Sequence, residues 1–232
     1  MDIVECLMKA GFTRHEAMLY IALCQEGQLT GYEAAKTSGI PRSNAYLALA
    51  GLVDKGGAFR IDGDASKYAA VPADELVFNL RKDLEKVYQY IAKNAPVREA
   101  SNEPYFTITG RENIVNKMSY LISHANERIY ISTSPTELEF ISGELAIAKD
   151  KGLKVVIITA QGFELEGVTI YRNNKQPGQI RLIADTAHVL TGELKGTGES
   201  TCLYSKNRNL IQLIRESLTN EIKLIKINSR EA

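Results

Sequence analysis

The chain has 232 residues, 28 Lys and Arg against 28 Asp and Glu, a formal net charge of +0, and 44% hydrophobic residues. This composition excludes collagen-like, mucin-like and wholly disordered chains, and the length fits one or two globular domains. The longest apolar runs, such as 155–160, are far shorter than the roughly 20 residues that a membrane-spanning helix needs. Acidic Asp2 and Glu5 do not fit a signal peptide, so we expect no membrane partner.

The three cysteines, Cys6, Cys24 and Cys202, are far apart and form no C-x-x-C pair. Their odd number and spacing predict a reduced, cytoplasmic protein without a metal site, and no motif predicts a cofactor. The zero net charge is unusual for a nucleic-acid binder, which ordinarily carries a basic footprint.

The first 72 residues follow the order of a winged helix-turn-helix. Capping boxes at Thr13 with Glu16 and at Thr30 with Glu33 predict a helix ending near Gly27 and a short helix over 32–37. Pro41 is expected in the first turn of a third helix. Two strand-like runs, 58–61 and 67–71, flank an Asp-Gly turn and predict a β-hairpin.

The third helix begins with hydrogen-bonding side chains that could reach base edges or phosphates. Residues 1–75 hold seven Lys and Arg against ten Asp and Glu, whereas residues 36–67 hold five against three, so the positive charge is local to this helix and the wing. A structural winged helix that binds no DNA is the alternative. We expect DNA contacts from the third helix and then from the wing, at Arg42, Ser43, Asn44, Tyr46, Arg60 and Lys67.

Residues 30–46, with a Gly-Tyr-Glu-x-Ala start and an Ile-Pro-Arg-Ser turn, resemble the DNA-binding domain of the TrmB family of transcriptional regulators. The resemblance implies that the chain binds double-stranded DNA and regulates transcription.

A long helix is predicted over 74–95, with an apolar stripe at Leu76, Leu80, Leu84, Val87 and Ile91. The stripe either packs on the chain's own C-terminal domain or pairs two subunits. Palindromic operators need two-fold symmetric proteins, which favours a homodimer. The resemblance to the TrmB family, in which the helix after the wing dimerises, favours a homodimer as well. The polar stretch 97–104 reads as a linker.

From Tyr105 onward, strand-like runs alternate with amphipathic helices, which predicts an α/β sandwich with a mixed sheet. One helix is expected over 135–151 and a last helix over 207–220, followed by the apolar-rich run 221–227. Residues 110–114, 181–185 and 204–207 are similar to the phospholipase D-like domain of TrmB-family regulators.

Enzymes of the phospholipase D superfamily use a His-x-Lys motif, in which the histidine is the covalent nucleophile. Here His15, His124 and His188 are followed two residues later by Ala, Asn and Leu, so the motif is missing. We expect no catalysis and a structural role for His188. A phosphodiester-processing enzyme with a winged-helix docking module, or a protein-assembling scaffold, are the alternatives.

Without a nucleophile, the C-terminal domain is interpreted as a sensor or a dimer platform. Ligands of open α/β sheets bind at the carboxyl ends of strands, although the same polar residues are ordinary caps and turn formers. Longer family members that sense sugars carry a further sugar-binding region, which we do not expect in a chain that ends at Ala232, so a sugar is only one possible small effector. The expected ligand residues are Ser132, Ser134, Gln161, Asp185 and Asn207.

The predicted organisation is a winged helix-turn-helix over 1–72, a connecting dimerisation helix over 73–97, and a phospholipase D-like α/β domain over 104–228. The predicted function is a sequence-specific, homodimeric transcriptional regulator that binds a palindromic operator and responds to a small ligand.

Overall fold

The computed structural model describes residues 2–63, 65–96, 105–196 and 198–231, with side chains through residue 228 in the last helix. The chain divides into two compact units, 1–98 and 99–232, and each is described by itself. The expected linker 97–104 and residue Asp64 of the wing turn lie outside the described residues.

The N-terminal unit is a helical core with a small antiparallel sheet of order β1-β3-β2. Its elements are α1 (Ile3–Lys9), α2 (Arg14–Glu26), β1 (Leu29–Thr30), α3 (Gly31–Ser38), α4 (Arg42–Asp54), β2 (Ala58–Ile61), β3 (Lys67–Ala70) and α5 (Ala73–Asn94).

Both predicted capping boxes are present. Thr13 and Glu16 cap α2 reciprocally, and Thr30 and Glu33 do the same for α3, so each side chain satisfies a backbone N–H that the helix start leaves unpaired. Pro41 stands at the N-cap of α4, one residue earlier than expected. Two elements, α1 and the two-residue β1, were not predicted. Strand β1 pairs with β3 and completes the wing sheet.

The long helix α5 is buried only where it leaves the wing. Leu76 is buried and Leu80 is half-buried against the core of the N-terminal unit. Every residue from Arg81 to Asn94 is exposed within the chain, including the rest of the predicted apolar stripe. The helix therefore presents an apolar stripe that the N-terminal unit does not cover.

The C-terminal unit is a seven-stranded mixed sheet of order β4-β10-β9-β8-β5-β6-β7. Among the described strands, β5 is parallel to β6 and β6 is parallel to β7, whereas the other neighbouring pairs of this sheet are antiparallel. The elements are β4 (Tyr105–Thr109), α6 (Arg111–Ser123), β5 (Arg128–Ser132), α7 (Pro135–Glu139), α8 (Ser142–Asp150), β6 (Lys154–Thr159), β7 (Thr169–Arg172), β8 (Gln179–Ala184), β9 (His188–Glu193), β10 (Thr201–Ser205) and α9 (Arg208–Glu231).

Helices cover both faces of this sheet, as the α/β prediction requires. Helices α6, α7 and α8 contribute to the larger core cluster, whereas α9 packs on the other face against residues such as Ile158, Ile183 and Val189. The alternation of side chains along each strand separates the two cores. The predicted architecture, a winged helix-turn-helix, a connecting helix and an α/β sandwich with a mixed sheet, is confirmed.

Two predicted elements differ. The helix expected over 135–151 is divided into α7 and α8, because Ile141 takes a non-helical backbone (φ −125°) while its side chain is fully buried. The last helix continues through 221–227, since Leu218, Ile222 and Ile225 recur at helical spacing and pack on the sheet.

Candidate nucleic-acid interface and effector surfaces

One face of α4 is buried and the other is free for contact. Ala45, Leu49 and Leu52 are fully buried, and helical spacing places the residues between them on the outside. The exposed residues of its N-terminal half are Arg42, Ser43, Asn44, Tyr46 and Leu47. Leu47, which the sequence interpretation missed, is 74% exposed. The helical spacing of the apolar residues Ala45, Ala48 and Leu49 could have indicated that Leu47 lies on the exposed face.

Arg42 lies between two aromatic rings. Its guanidinium carbon is 5.6 Å from the centroid of Tyr32 and 5.8 Å from that of Tyr46. Contacts at this distance attract a cation to the ring face and restrict its movement. Within the described ranges, Arg42 has no carboxylate within 4.0 Å. Its N–H groups are therefore oriented and uncommitted, as phosphate or guanine recognition requires.

The position of α4 is fixed from α2 through Glu16. The Glu16 carboxylate accepts hydrogen bonds from the backbone N–H of Thr13 at 2.6 Å and from Lys55 Nζ at 2.7 Å. Burial favours a higher pKa for Glu16, but the hydrogen bonds from Lys55 and Thr13 and the Lys55 charge outweigh it and lower the pKa. Glu16 is thus ionised at neutral pH and joins the first turn of α2 to the end of α4.

Two exposed cations, Lys67 and Arg60, lie on the described part of the wing. Lys67 is exposed at the start of β3. Arg60 is also exposed, but its Nε lies 3.0 Å from Asp62 Oδ1 and its Nη2 donates to Ser66 Oγ at 3.2 Å. A phosphate must therefore compete with Asp62 for Arg60, although an exposed pair of this kind is weak.

The predicted ligand residues of the C-terminal unit are not brought together. Ser132 is the last residue of β5, Ser134 lies two residues beyond it, and Gln161 follows the end of β6, so these three share the carboxyl edge of the parallel strands. Asp185 and Asn207 stand at the opposite edge, because β8 is antiparallel to β5 and pairs Ala184 with Ile129. A single cleft formed by all five residues is therefore absent.

At the first edge, one buried hydroxyl group contacts a buried acid. Ser134 Oγ donates a hydrogen bond to Glu137, and both side chains are buried. The neighbouring Oγ1 atoms of Thr133 and Thr159 are buried without a hydrogen-bond partner among the described residues. Gln161 is exposed in the loop beyond.

At the opposite edge, Asp185 and Asn207 hold backbone. The Asp185 carboxylate accepts hydrogen bonds from the N–H groups of Asn126, Glu127 and Arg128 at 2.8–3.0 Å. Burial acts to raise the pKa of Asp185, but these backbone hydrogen bonds outweigh it and lower the pKa. Asn207 accepts from two N–H groups at the start of α9. The carboxylate of Asp185 and the amide oxygen of Asn207 thus both bind backbone N–H groups of the fold.

His188 is hydrogen-bonded inside the unit. Its Nδ1 lies 2.9 Å from the hydroxyl oxygen of Tyr204. Burial, followed by the charges of Lys206 and Lys117, lowers its pKa, against an opposing effect of Asp185. His188 begins β9 and is not placed on an open loop.

Over the part of the chain that the structure describes, no three His, Cys, Asp or Glu side chains form a group that could hold a metal ion. In the same ranges, no helix combines the length and the apolar composition needed to cross a bilayer.

A helix with an exposed polar N-terminal half, held against two further helices and followed by the β-hairpin of a three-stranded wing sheet, defines a winged helix-turn-helix DNA-binding protein. The family model "Sugar-specific transcriptional regulator TrmB" matches residues 7–74. The model "Transcriptional regulator TrmB, EBD N-terminal subdomain" matches residues 105–221, about half of the chain. The chain therefore belongs to the TrmB family of transcriptional regulators.

Two curated relatives resemble the chain. Protein YrhO of Bacillus subtilis (strain 168) is 29% identical over 97% of this chain and 86% of its own length. The HTH-type sugar sensing transcriptional regulator TrmBL1 of Pyrococcus furiosus is 28% identical over 70% of this chain, and the match covers 48% of TrmBL1.

Solved structures show weaker similarity. TrmBL2, described as an archaeal chromatin protein with a novel mode of DNA binding, gives a TM-score of 0.48 at 19% identity, covering 95% of this chain and 97% of that one. Nuc from Salmonella typhimurium, a phospholipase D family member, gives 0.43 at 15% identity over 51% of this chain and 93% of its own.

Proposed function

We propose that this TrmB-family regulator binds a two-fold symmetric operator as a homodimer and reads it with the exposed face of α4. The observation that carries the proposal is the position of Arg42 between Tyr32 and Tyr46, with Ser43 and Asn44 beside it at the helix start. Arg and Asn are the side chains that recognise guanine and adenine in the major groove. The exposed Leu47 methyl groups suit contact with a thymine methyl.

The wing holds the phosphate backbone in this proposal. Lys67 and Arg60 both contribute, although Arg60 must first leave Asp62. With so few phosphate contacts per subunit, affinity is modest and depends on salt through counterion release. Two subunits acting together then supply useful affinity and specificity.

The exposed stripe of α5 is the proposed subunit contact. Leu84 is 45% exposed, Val87 51% and Ile91 55%, and these three residues recur every three or four positions. Their burial in a dimer is favourable at about 25 cal/mol per Å² of apolar surface. Symmetric pairing of this helix would set two copies of α4 on successive major-groove faces.

The proposed division of labour follows the predicted domains: residues 1–72 read DNA, 73–97 pair subunits, and 104–228 form an effector or dimerisation domain in the cytoplasm. A small effector, a sugar among the alternatives, acts by binding one dimer geometry better than another. We propose no catalysis, because the sequence has no His-x-Lys and His188 is hydrogen-bonded to Tyr204.

Selection from random-sequence double-stranded DNA tests this function. The full chain is expected to enrich one motif with two-fold symmetric half-sites about one helical turn apart. A scaffold that assembles proteins enriches no motif, and a monomeric reader enriches a single half-site. The absence of any enriched motif would refute sequence-specific DNA binding, and a single half-site would refute binding as a two-fold symmetric dimer.

A further inference from the structure

A cavity of about 290 Å³ lies between α9 and the sheet of the C-terminal unit. Its apolar lining includes Ile183, Leu218 and Ile222. Arg128 and Arg215 line the same cavity. An apolar lining with a few polar groups is the usual composition of a small-molecule site.

The charges of the cavity are unbalanced. None of its described lining residues carries a carboxylate. Arg128 Nη2 is paired with Glu127 at 2.9 Å, but both side chains are largely exposed, so the pair is weak and a ligand could replace it. Arg215 has no carboxylate within 4.0 Å among the residues described. Two arginines that line one cavity with no acidic residue in its described lining favour an anionic occupant.

The turn beside the cavity is strained. Asp185 and Thr186 both have positive φ, 54° and 56°, and Ala187 N–H donates to Ala184 O across the turn. A β-branched residue such as Thr186 rarely adopts this backbone conformation. Thr186 lines the cavity, while Asp185 accepts hydrogen bonds from the backbone of Arg128 and its two predecessors. Strain of this kind is concentrated at ligand sites, where the surrounding structure maintains it.

From this geometry we propose that the cavity binds a small organic anion, with one acidic group between Arg128 and Arg215 and an apolar body on Ile183, Leu218 and Ile222. The volume admits a ligand of about one six-membered ring with its acidic substituent, near the lower limit of ligand pockets. The Thr219 hydroxyl, which donates to Arg215 O, fixes the turn of α9 that carries the second guanidinium. The proposal concerns binding alone and is independent of whether DNA affinity changes.

The probe is phenyl phosphate, titrated into the full chain and followed by NMR of labelled isoleucine methyl groups and by calorimetry. We expect one site per chain, with shifts at Ile183 and Ile222, which Ile→Val variants assign. Inorganic phosphate, which lacks the apolar body, and benzyl alcohol, which lacks the charge, are expected to bind at least tenfold more weakly.

The variants are Arg215→Gln and Arg128→Gln, with Arg208→Gln as the matched control. Arg208 is an exposed arginine at the start of the same helix and does not line the cavity. Each of the first two substitutions is expected to weaken phenyl phosphate roughly tenfold or more, because a charge-assisted contact is lost, and the control is expected to leave it unchanged.

Three outcomes would overturn the proposal. They are the absence of phenyl phosphate binding, equal affinity in wild type and the two cavity variants, and methyl shifts confined to other isoleucines. Because Arg128 and Arg215 are exposed, their glutamine variants should fold, and unchanged methyl spectra without ligand would verify this.

Discussion

The Tyr46 ring packs directly on the α-carbon of Gly31. A Cβ at position 31 would lie 2.5 Å from Cε1 and 2.7 Å from Cζ of Tyr46. Only glycine therefore allows this ring position, in which Tyr46 also faces Arg42. The start of α3 thus sets the conformation of two side chains at the start of the reading helix.

Replacing Gly31 with Ala is expected to weaken operator binding by about two- to fivefold, the size of a lost cation–π contact. The new methyl group displaces the Tyr46 ring, which is 41% exposed and can move outward. The stability of the N-terminal unit should change little, because Ala in a helix compensates for the displaced ring. A DNA titration alongside thermal unfolding checks this, and a large loss of stability with unaltered binding would contradict it.

Replacing Glu16 with Gln is expected to destabilise the N-terminal unit by about 1–2 kcal/mol at neutral pH, since the charged contacts to Lys55 and Thr13 are lost. Because Lys55 is 39% exposed, solvent screening keeps the value toward the lower end. Hydrogen exchange of α2 and α4 amides measures it.

The Glu16 contribution should also depend on pH. The folded pKa is lower than the ordinary value of 4.5, so the contribution is complete above 4.5 and is lost as pH falls through the folded pKa. The difference between wild type and Glu16→Gln should therefore shrink on acidification below that value. A difference that stays constant, or grows, would show that Glu16 acts only through packing.

Placing negative charge on the α5 stripe tests the subunit contact. The double substitution Val87→Glu and Ile91→Glu should convert dimers to monomers in sedimentation while the circular dichroism of the chain is retained, because both side chains are exposed within one chain. Gln89→Glu, an exposed position on the same helix, is the control for charge alone. A wild-type chain that sediments as a monomer would disprove this interface.

An activated phosphodiester should not be hydrolysed by the chain. No histidine is followed by lysine two residues later, and the His188 ring is hydrogen-bonded to Tyr204. The release of nitrophenolate from bis(nitrophenyl) phosphate should match the buffer blank. Turnover that disappears in His188→Asn would instead establish an enzyme.

Local patterns predicted the reading helix and its neighbours, because capping boxes and apolar spacing are encoded within a few residues. Thr13 with Glu16 and Thr30 with Glu33 are examples. The two-residue β1 was missed, since it is defined by its pairing with β3, which lies far along the chain.

The candidate sites were less predictable for the same reason. Tyr32 and Leu47 acquire their roles only when α3 and α4 are packed together. The grouping of Ser132 with Asp185 assumed a common edge, but the antiparallel insertion of β8 beside β5 moved Asp185 to the other end of the sheet. Sheet order and direction depend on long-range pairing, which residue spacing does not specify.

A gel-shift titration of Arg42→Ala on the selected operator tests most directly whether Arg42 on α4 reads DNA. Lys9→Ala removes an exposed positive charge on α1 and is the matched control. We expect a roughly 10- to 100-fold loss of operator affinity for Arg42→Ala, with the fold retained, and no loss for Lys9→Ala. Unchanged operator affinity in Arg42→Ala would show that Arg42 does not read DNA.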